Sequence, residues 1–188
     1  QNLTGLVVFN VDTDKWNRSL SIAFTNVAPG ATMLVNLNGL TVNTRNLVDG
    51  QPLEITVNGV ANDGAAAKRI LFNAPNATRF ILNGVNLPGS LLAPAAAVTV
   101  ANATAMGTII SASANIGTGA MVDWNQFDSS STATSSGPVF GIAQDYSIFT
   151  FGNFSMTNGG GSVSGGIAVG GNANYTGLSI GSGLNSSS

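Results

Sequence analysis

The feature that most limits how this chain can fold is an internal repeat. Between Phe80 and Thr118, sliding the sequence by 18 residues superposes like on like. Phe80, Val98 and Ile116 align, as do Leu82, Val100 and Thr118, Gly89 with Gly107, and "GSLLA" (89–93) with "GTIIS" (107–111). A unit of this length, with two short apolar clusters and a glycine at a fixed place, suits one coil of a β-solenoid. In such a stack the inward side chains form ladders. The competing architecture is an antiparallel β-sandwich, whose strands also give turn signals every 8 to 12 residues or so. A sandwich does not require small residues to recur position by position, so the expected class is all-β, a solenoid of short stacked strands.

The remaining segments agree with a chain built of strands. "LSIAFTNV" (20–27), "ATMLVNLNG" (31–39) and "LEITVNGV" (53–60) alternate apolar and polar residues with period two and end in turn-forming residues. Helix signals are almost absent, and no polar capping helix is visible at either end, which leaves the end strands needing a cap or a partner. The glycine-rich run "FGNFSMTNGGGSVSGGIAVGGNANYTG" (151–177) is not a phosphate loop. Such a loop needs a lysine and a following helix, and no Lys or Arg occurs after Arg79. Val163, Ile167 and Val169 share one parity there, and Leu178 with Ile180 begins another alternating run. Strands brought close together by glycine are the better reading.

Composition excludes several functions. Charged residues make up 7% of the 188 residues, against roughly 25% in an ordinary soluble protein. The six Lys and Arg are scattered and the net charge is -2, so nothing draws the chain to nucleic acid or to an anionic membrane. There is no cysteine and no histidine. Disulfides, thiolate metal sites and Ser-His-Asp or Cys-His catalysis are therefore out, and no cofactor or metal is expected. The longest apolar stretch, Leu91 to Met106, is interrupted by Pro94 and Asn102, so no membrane span is expected. The initial Gln1 fits a mature form whose leader has been removed.

Weaker constellations remain. Asp12 and Asp14 in "VDTDKWN" have the spacing of calcium ligands but lack the glycine and distant glutamate of such loops. Lys68, Arg69 and Arg79 with Asp63 are the one charged group that a polysaccharide lyase could use, and a solvated loop explains them more simply. Trp16 and Trp124 are expected in the core or at its ends. Sequons for N-linked sugar occur at Asn2, Asn17, Asn76, Asn102, Asn153, Asn174 and Asn185, a modest excess over chance, with Asn76 and Asn102 expected in turns. Ser129, Ser130, Ser131, Thr132, Thr134, Ser135 and Ser136 lie in a Ser/Thr-rich linker and are O-glycosylation candidates.

Two stretches resemble a known family. "YSIFTFGNFSMTNGGGSVSGGIAVGGNANYTGLSIG" (146–181) is similar to the opening of choice-of-anchor A domains, which are extracellular surface modules. "ILFNAPNATRFILNGVNLPGSLLAPAAAVTVANATAMGTIISASANIGTGAMVDWNQF" (70–127) is similar to their closing part, and "VVFNVD" with "PGATMLVNLNG" to the segment before it. The order is reversed here. The resemblance thus divides the chain into a main β domain at 1–127, a linker at 128–138 and a strand segment at 139–188.

The last segment has few large apolar side chains and cannot bury a core alone. It must dock, either in its own chain or on a neighbour, with Tyr146, Phe149, Phe151, Val163, Ile167 and Val169 as the contacts. Docking on a neighbour would give an open head-to-tail homopolymer. The expected function is accordingly a structural, non-catalytic subunit of an extracellular or cell-surface fibre that carries covalent glycans. The alternative is an adhesin or an ice-binding β-solenoid, for which "TVNT" (41–44) is the sole hint of a threonine row.

Overall fold

The computed structural model describes residues 3–45, 47–61, 63–128, 139–156, 161–177 and 179–182. They form seven stacked coils. Coil 1 holds β1 (Leu6–Asp12), α1 (Thr13–Trp16) and β2 (Ser21–Phe24), and coil 2 holds β3 (Thr32–Asn38), β4 (Thr41–Asn43) and β5 (Glu54–Val57). Coil 3 begins with α2 (Gly64–Ala67) and continues through β6 (Ile70–Asn73), β7 (Arg79–Asn83) and β8 (Asn86–Leu87). Coil 4 is β9 (Ser90–Ala101) and β10 (Thr104–Ala105), and coil 5 is β11 (Ile109–Ile116) and β12 (Met121–Val122). Coil 6 is β13 (Tyr146–Thr150), β14 (Phe154–Met156) and β15 (Ser162–Val163). Coil 7 is β16 (Gly166–Val169), β17 (Ala173–Tyr175) and β18 (Ser179–Ile180).

Each coil has three sides. An eleven-stranded sheet turns a corner within the long strands β9 and β11, which gives a first face (β1-β3-β6-β9-β11-β13-β16) and a second face (β4-β7-β9-β11-β14-β17). The third face is the five-stranded sheet β18-β15-β12-β10-β8 together with the pair β2-β5. Pairing between coils is parallel throughout these sheets. The chain is thus an all-β solenoid, and the sandwich is ruled out by the absence of antiparallel ladders among the described strands.

Parallel, in-register pairing sets like on like. One inward column runs Phe9, Val35, Phe72, Leu91, Ile109, Ile148, Ile167 through all seven coils. Its five middle members are fully buried, each worth roughly 1.5–3 kcal/mol of transfer free energy. A second column, Val42, Phe80, Val98, Ala114 and Phe154, lines the second face. The third face contributes Leu87, Ala105, Val122 and Val163. Trp16 belongs to this core, with its ring edge-on to Phe72, whereas Trp124 is half-buried at a corner.

The 18-residue repeat holds for one half of the coil and shifts in the other. Leu91 pairs with Ile109 and Phe80 with Val98, each 18 apart, but Val98 pairs with Ala114 and Val100 with Ile116. Ile116 therefore does not stack on Val98, nor Thr118 on Val100. A bulge between Ser111 and Ser113 removes two residues from coil 5 at the corner, so the shift falls where no ladder has to be kept.

Gly89 and Gly107 stack at the corner that leads from the third face to the first. A Cβ on Gly89 would lie 2.5 Å from the Ile70 carbonyl oxygen, and one on Gly107 would lie 2.7 Å from the Gly89 carbonyl carbon. Only glycine lets successive coils turn this tightly on one another. Coil 6 enters the corner differently. After β12 the chain runs back along the outside, where the Asp128 N–H donates to the Lys68 carbonyl and the Phe127 ring packs on Phe140. A short 3-10 helix at Gly141–Asp145 then leads into β13.

The strands from Tyr146 to Ile180 continue the same chain's stack. β13 and β14 pair with β11, and β15 with β12. Val163 is fully buried, while Ile167 and Val169 point into the partly open last coil.

The expectation that no helix caps an end needs correction. In coil 1, α1 takes the place of a strand on the second face, and Asn17, just beyond it, closes the edge of β4. Its Nδ2 donates to the Thr41 carbonyl at 3.0 Å, and its Oδ1 accepts from the Asn43 N–H at 2.7 Å. One amide side chain thus supplies the donor and acceptor that a neighbouring strand would have supplied. Asp12 starts the helix as N-cap by accepting from the Asp14 N–H.

These contacts predict a ranking in urea unfolding. Asn17→Ala, which leaves two part-buried backbone groups without their partner, should lower stability by roughly 1–2 kcal/mol. Gly107→Ala should cost a similar ~1–3 kcal/mol through overpacking against backbone. Gly30→Ala, where nothing lies within 4 Å, should shift the midpoint little.

Candidate functional site

Among the described residues no group of three or more His, Cys, Asp or Glu could hold a metal ion. Asp12 is spent on capping α1, so the calcium spacing has a structural cause. The charged cluster divides. Asp63, Lys68 and Arg69 line one cleft beside α2, while Arg79 stands on the second face in β7. Burial pushes the Asp123 carboxyl above the usual carboxylate range, at the corner before Trp124.

The outer surfaces of the coils carry the remaining distinctive chemistry. On the first face, outward residues alternate with the core column and stack in their own ladders. The longest is Asn10, Asn36, Asn73, Leu92, Ile110, Phe149 and Ala168. Its first three members form an amide ladder: Asn73 Nδ2 donates to Asn36 Oδ1 and Asn36 Nδ2 to Asn10 Oδ1, both at 2.9 Å. Beside it runs an apolar column, Val8, Leu34 and Leu71.

At coil 6 the ladder turns aromatic. The Tyr146 and Phe149 rings lie 6.2 Å apart and the Phe149 and Phe151 rings 5.6 Å apart, centroid to centroid. Phe151 is 60% exposed. The rings stay uncovered on one side because coil 7 sets Gly166 opposite Tyr146 and Ala168 opposite Phe149. The face therefore presents amide, aliphatic and aromatic groups on a rigid parallel sheet, without a charged residue in its longest ladder.

The second face is more mixed. Its outward rows read Thr41, Arg79, Ala97, Ser113 and Asn43, Ile81, Thr99, Asn115, Ser155, Asn174. "TVNT" does not begin a threonine row. Thr44 is buried, donating to the Ile81 carbonyl and accepting from the Asn83 N–H.

The sequons separate in the same way. Asn76, Asn102, Asn153 and Asn174 are exposed, with Asn102 in a left-handed turn at φ 46°. Asn17 is buried, and its amide is engaged at both atoms, so the folded chain has no room for sugar there. Asn2 and Asn185 lie outside the described residues, as do Ser129, Ser130, Ser131, Thr132, Thr134, Ser135 and Ser136. Of the proposed assembly residues, Tyr146, Phe149 and Phe151 lie together on the outer first face, whereas Val163, Ile167 and Val169 face the interior.

Sequence reasoning missed the asparagine ladder. Its trace is the recurrence of Asn after an apolar run, in "VVFN" (7–10), "MLVN" (33–36) and "ILFN" (70–73), but at unequal separations of 26 and 37 residues. A search for one fixed period passes over it.

A family model described as "Putative Ice-binding-like adhesive domain" matches residues 1–123 and 139–188. No curated protein and no solved structure shows a significant match. The motifs that resemble choice-of-anchor A domains fall inside the matched stretches except for residues 124–127, and the match does not extend to that family. On that match over most of its length, the chain belongs to the ice-binding-like adhesive domain family.

Proposed function

We propose that this chain is a non-catalytic adhesive module that works outside the cell and binds through the outer surface of its first face. The observation that carries this reading is the outward aromatic row Tyr146, Phe149, Phe151, half-buried at its first two rings and 60% exposed at Phe151, in one ladder with the half-buried Leu92. Uncovered apolar groups of this kind mark interaction surfaces. The membership in an adhesive family points the same way. Ice is the less favoured ligand, because the second-face rows interleave Arg79, Ile81 and Asn115 with hydroxyl residues and so lack a repeated threonine spacing.

Adhesion is tested by retention of purified protein on apolar and on hydrophilic beads. Phe151→Ser combined with Phe149→Ser should cut retention on the apolar beads at least fivefold while the thermal midpoint moves little, since both side chains are outward. Unchanged retention overturns the assignment of this face. A freezing-point hysteresis retained by that double variant would move the function to ice.

The fibre reading has its own support. The outer edges of β1 and β2 at one end, and of β16, β17 and β18 at the other, have no strand partner among the described residues. Residues 166–182 contain no charged side chain to discourage edge pairing. Head-to-tail association then uses these edges, with the strands β13 to β18 already paired in their own chain. Light scattering and electron microscopy should find end-to-end assemblies that Ile180→Lys, at a 43% exposed position, abolishes. Monomers alone at high concentration end this reading.

Sugar belongs on the exposed asparagines, those in turns and the one in the end strand β17. Mass spectrometry of protein secreted from a glycosylating host should find glycan at Asn76, Asn102 or Asn174 and none at Asn17. An occupied Asn17 contradicts the closure of the β4 edge.

A further inference from the structure

Asn–Gly pairs occur in the chain at 38–39, 58–59, 83–84 and 158–159. Such a pair can rearrange without an enzyme, because glycine has no Cβ to keep its own backbone nitrogen away from the preceding side-chain amide. Two freedoms decide whether it does so in a folded chain. The asparagine amide must be able to turn, and the glycine N–H must not be held by an acceptor.

Asn158 and Gly159 lie outside the described residues, and the other three pairs differ. At Asn58 the amide is held at both atoms by the Val27 backbone, at 3.1 and 2.7 Å. At Gly84 the N–H donates to the Ala101 carbonyl at 3.2 Å. Asn38 has neither restraint: its side chain is exposed and has no hydrogen-bond partner among the described residues, and neither has the Gly39 N–H. The chain bends at Gly39 as it leaves β3. No other residue fits there, since a Cβ on Gly39 would run into the Thr13 hydroxyl of α1. The labile pair is thus tied to the way α1 docks.

We propose that Asn38 is a site of spontaneous deamidation, and that the change loosens the α1 cap as the protein ages. Hydroxide removes the Gly39 amide proton, and the nitrogen attacks Asn38 Cγ. The new N–C bond closes a succinimide ring, the Cγ–Nδ2 bond breaks, and Nδ2 takes a proton from water and leaves as ammonia, which restores the hydroxide. One water then opens the ring at either carbonyl and leaves aspartate or isoaspartate; nothing is oxidised or reduced. Isoaspartate routes the main chain through the former side chain and adds one carbon between residues 38 and 39. The carbonyl that accepts from Thr13 Oγ1 at 3.2 Å then leaves the main chain, and Gly39 no longer fits beneath Thr13. Displacing α1 displaces Asn17, which closes the edge of β4.

The test holds the intact protein in mildly alkaline buffer and follows its peptides by mass spectrometry, with isoaspartate resolved from aspartate by chromatography. Conversion at Asn38 should outpace that at Asn58 and Asn83 by roughly tenfold and rise with hydroxide concentration, whereas in urea the three should converge, since the fold alone separates them. Protein carrying isoaspartate at position 38, isolated by ion exchange, should exchange the Asn43 and Leu47 amide hydrogens, both bonded to Asn17, about tenfold faster than fresh protein. Asn38→Gln, whose longer side chain disfavours the ring, should stop the change at this position and keep exchange slow on storage. Conversion at Asn38 no faster than at Asn58 and Asn83, or a lead that persists unchanged in urea, overturns the site. Unaltered exchange in the isoaspartyl protein overturns the link to α1.

Discussion

Everything in this molecule depends on successive coils lying in parallel register. Strands in a sheet sit about 4.8 Å apart, so a residue on the inward column has a like residue directly above and below it. The column from Phe9 to Ile167 meets that condition with aromatic and branched side chains at all seven levels. A polar or oversized residue at any level would disturb two interfaces at once. The same register forces the outward residues into ladders, whether or not their contacts are useful to folding. Surface chemistry here is therefore laid out in columns by construction, and the outward ladders are an outcome of the stacking rule.

Corners and ends are where the rule is hardest to keep, because backbone ladders break when strands bend. This chain repairs the breaks with side chains that imitate backbone. Ser90 Oγ accepts from the Thr108 N–H, Ser147 Oγ from the Gly165 N–H and Asn153 Oδ1 from the Asn172 N–H, each one coil further on. Asn58 does the same in both directions, accepting from the Val27 N–H and donating to the Val27 carbonyl. Asn17 uses this device to close an edge. The abundance of Asn, Ser and Thr in so weakly charged a chain thus has a structural role: these side chains are short, neutral and able to accept as well as donate.

This also explains what the sequence disclosed and what it hid. The inward positions were legible, since like residues recur there and glycines must coincide at Gly89 and Gly107. The two-residue slip at Ser111–Ser113 was not, because corners tolerate unequal lengths and leave no compositional mark. The role of α1 was hidden by its four-residue length, too short for any apolar periodicity. Thr44 was misread for a related reason: alternation in "TVNT" breaks at the corner, and a hydroxyl that serves the backbone looks the same in sequence as one that faces water. The outward face was partly legible. Tyr146, Phe149 and Phe151 stood out as aromatics, but only the register joins them to Leu92, Ile110 and the three asparagines.

A face built in this way binds differently from a charged one. Its contacts are dispersion, apolar burial and amide hydrogen bonds, none of which is screened by salt as surface charge pairs are. Ordering costs are small, since parallel strands on both sides hold each ladder position before the ligand arrives. Individual contacts are weak, so strength must come from area. Stacking coils adds area in proportion to chain length without a new core being devised. A solenoid with few charges is thus suited to holding a broad, uncharged surface in varied ionic surroundings, and poorly suited to recognising one small, highly charged partner on its faces.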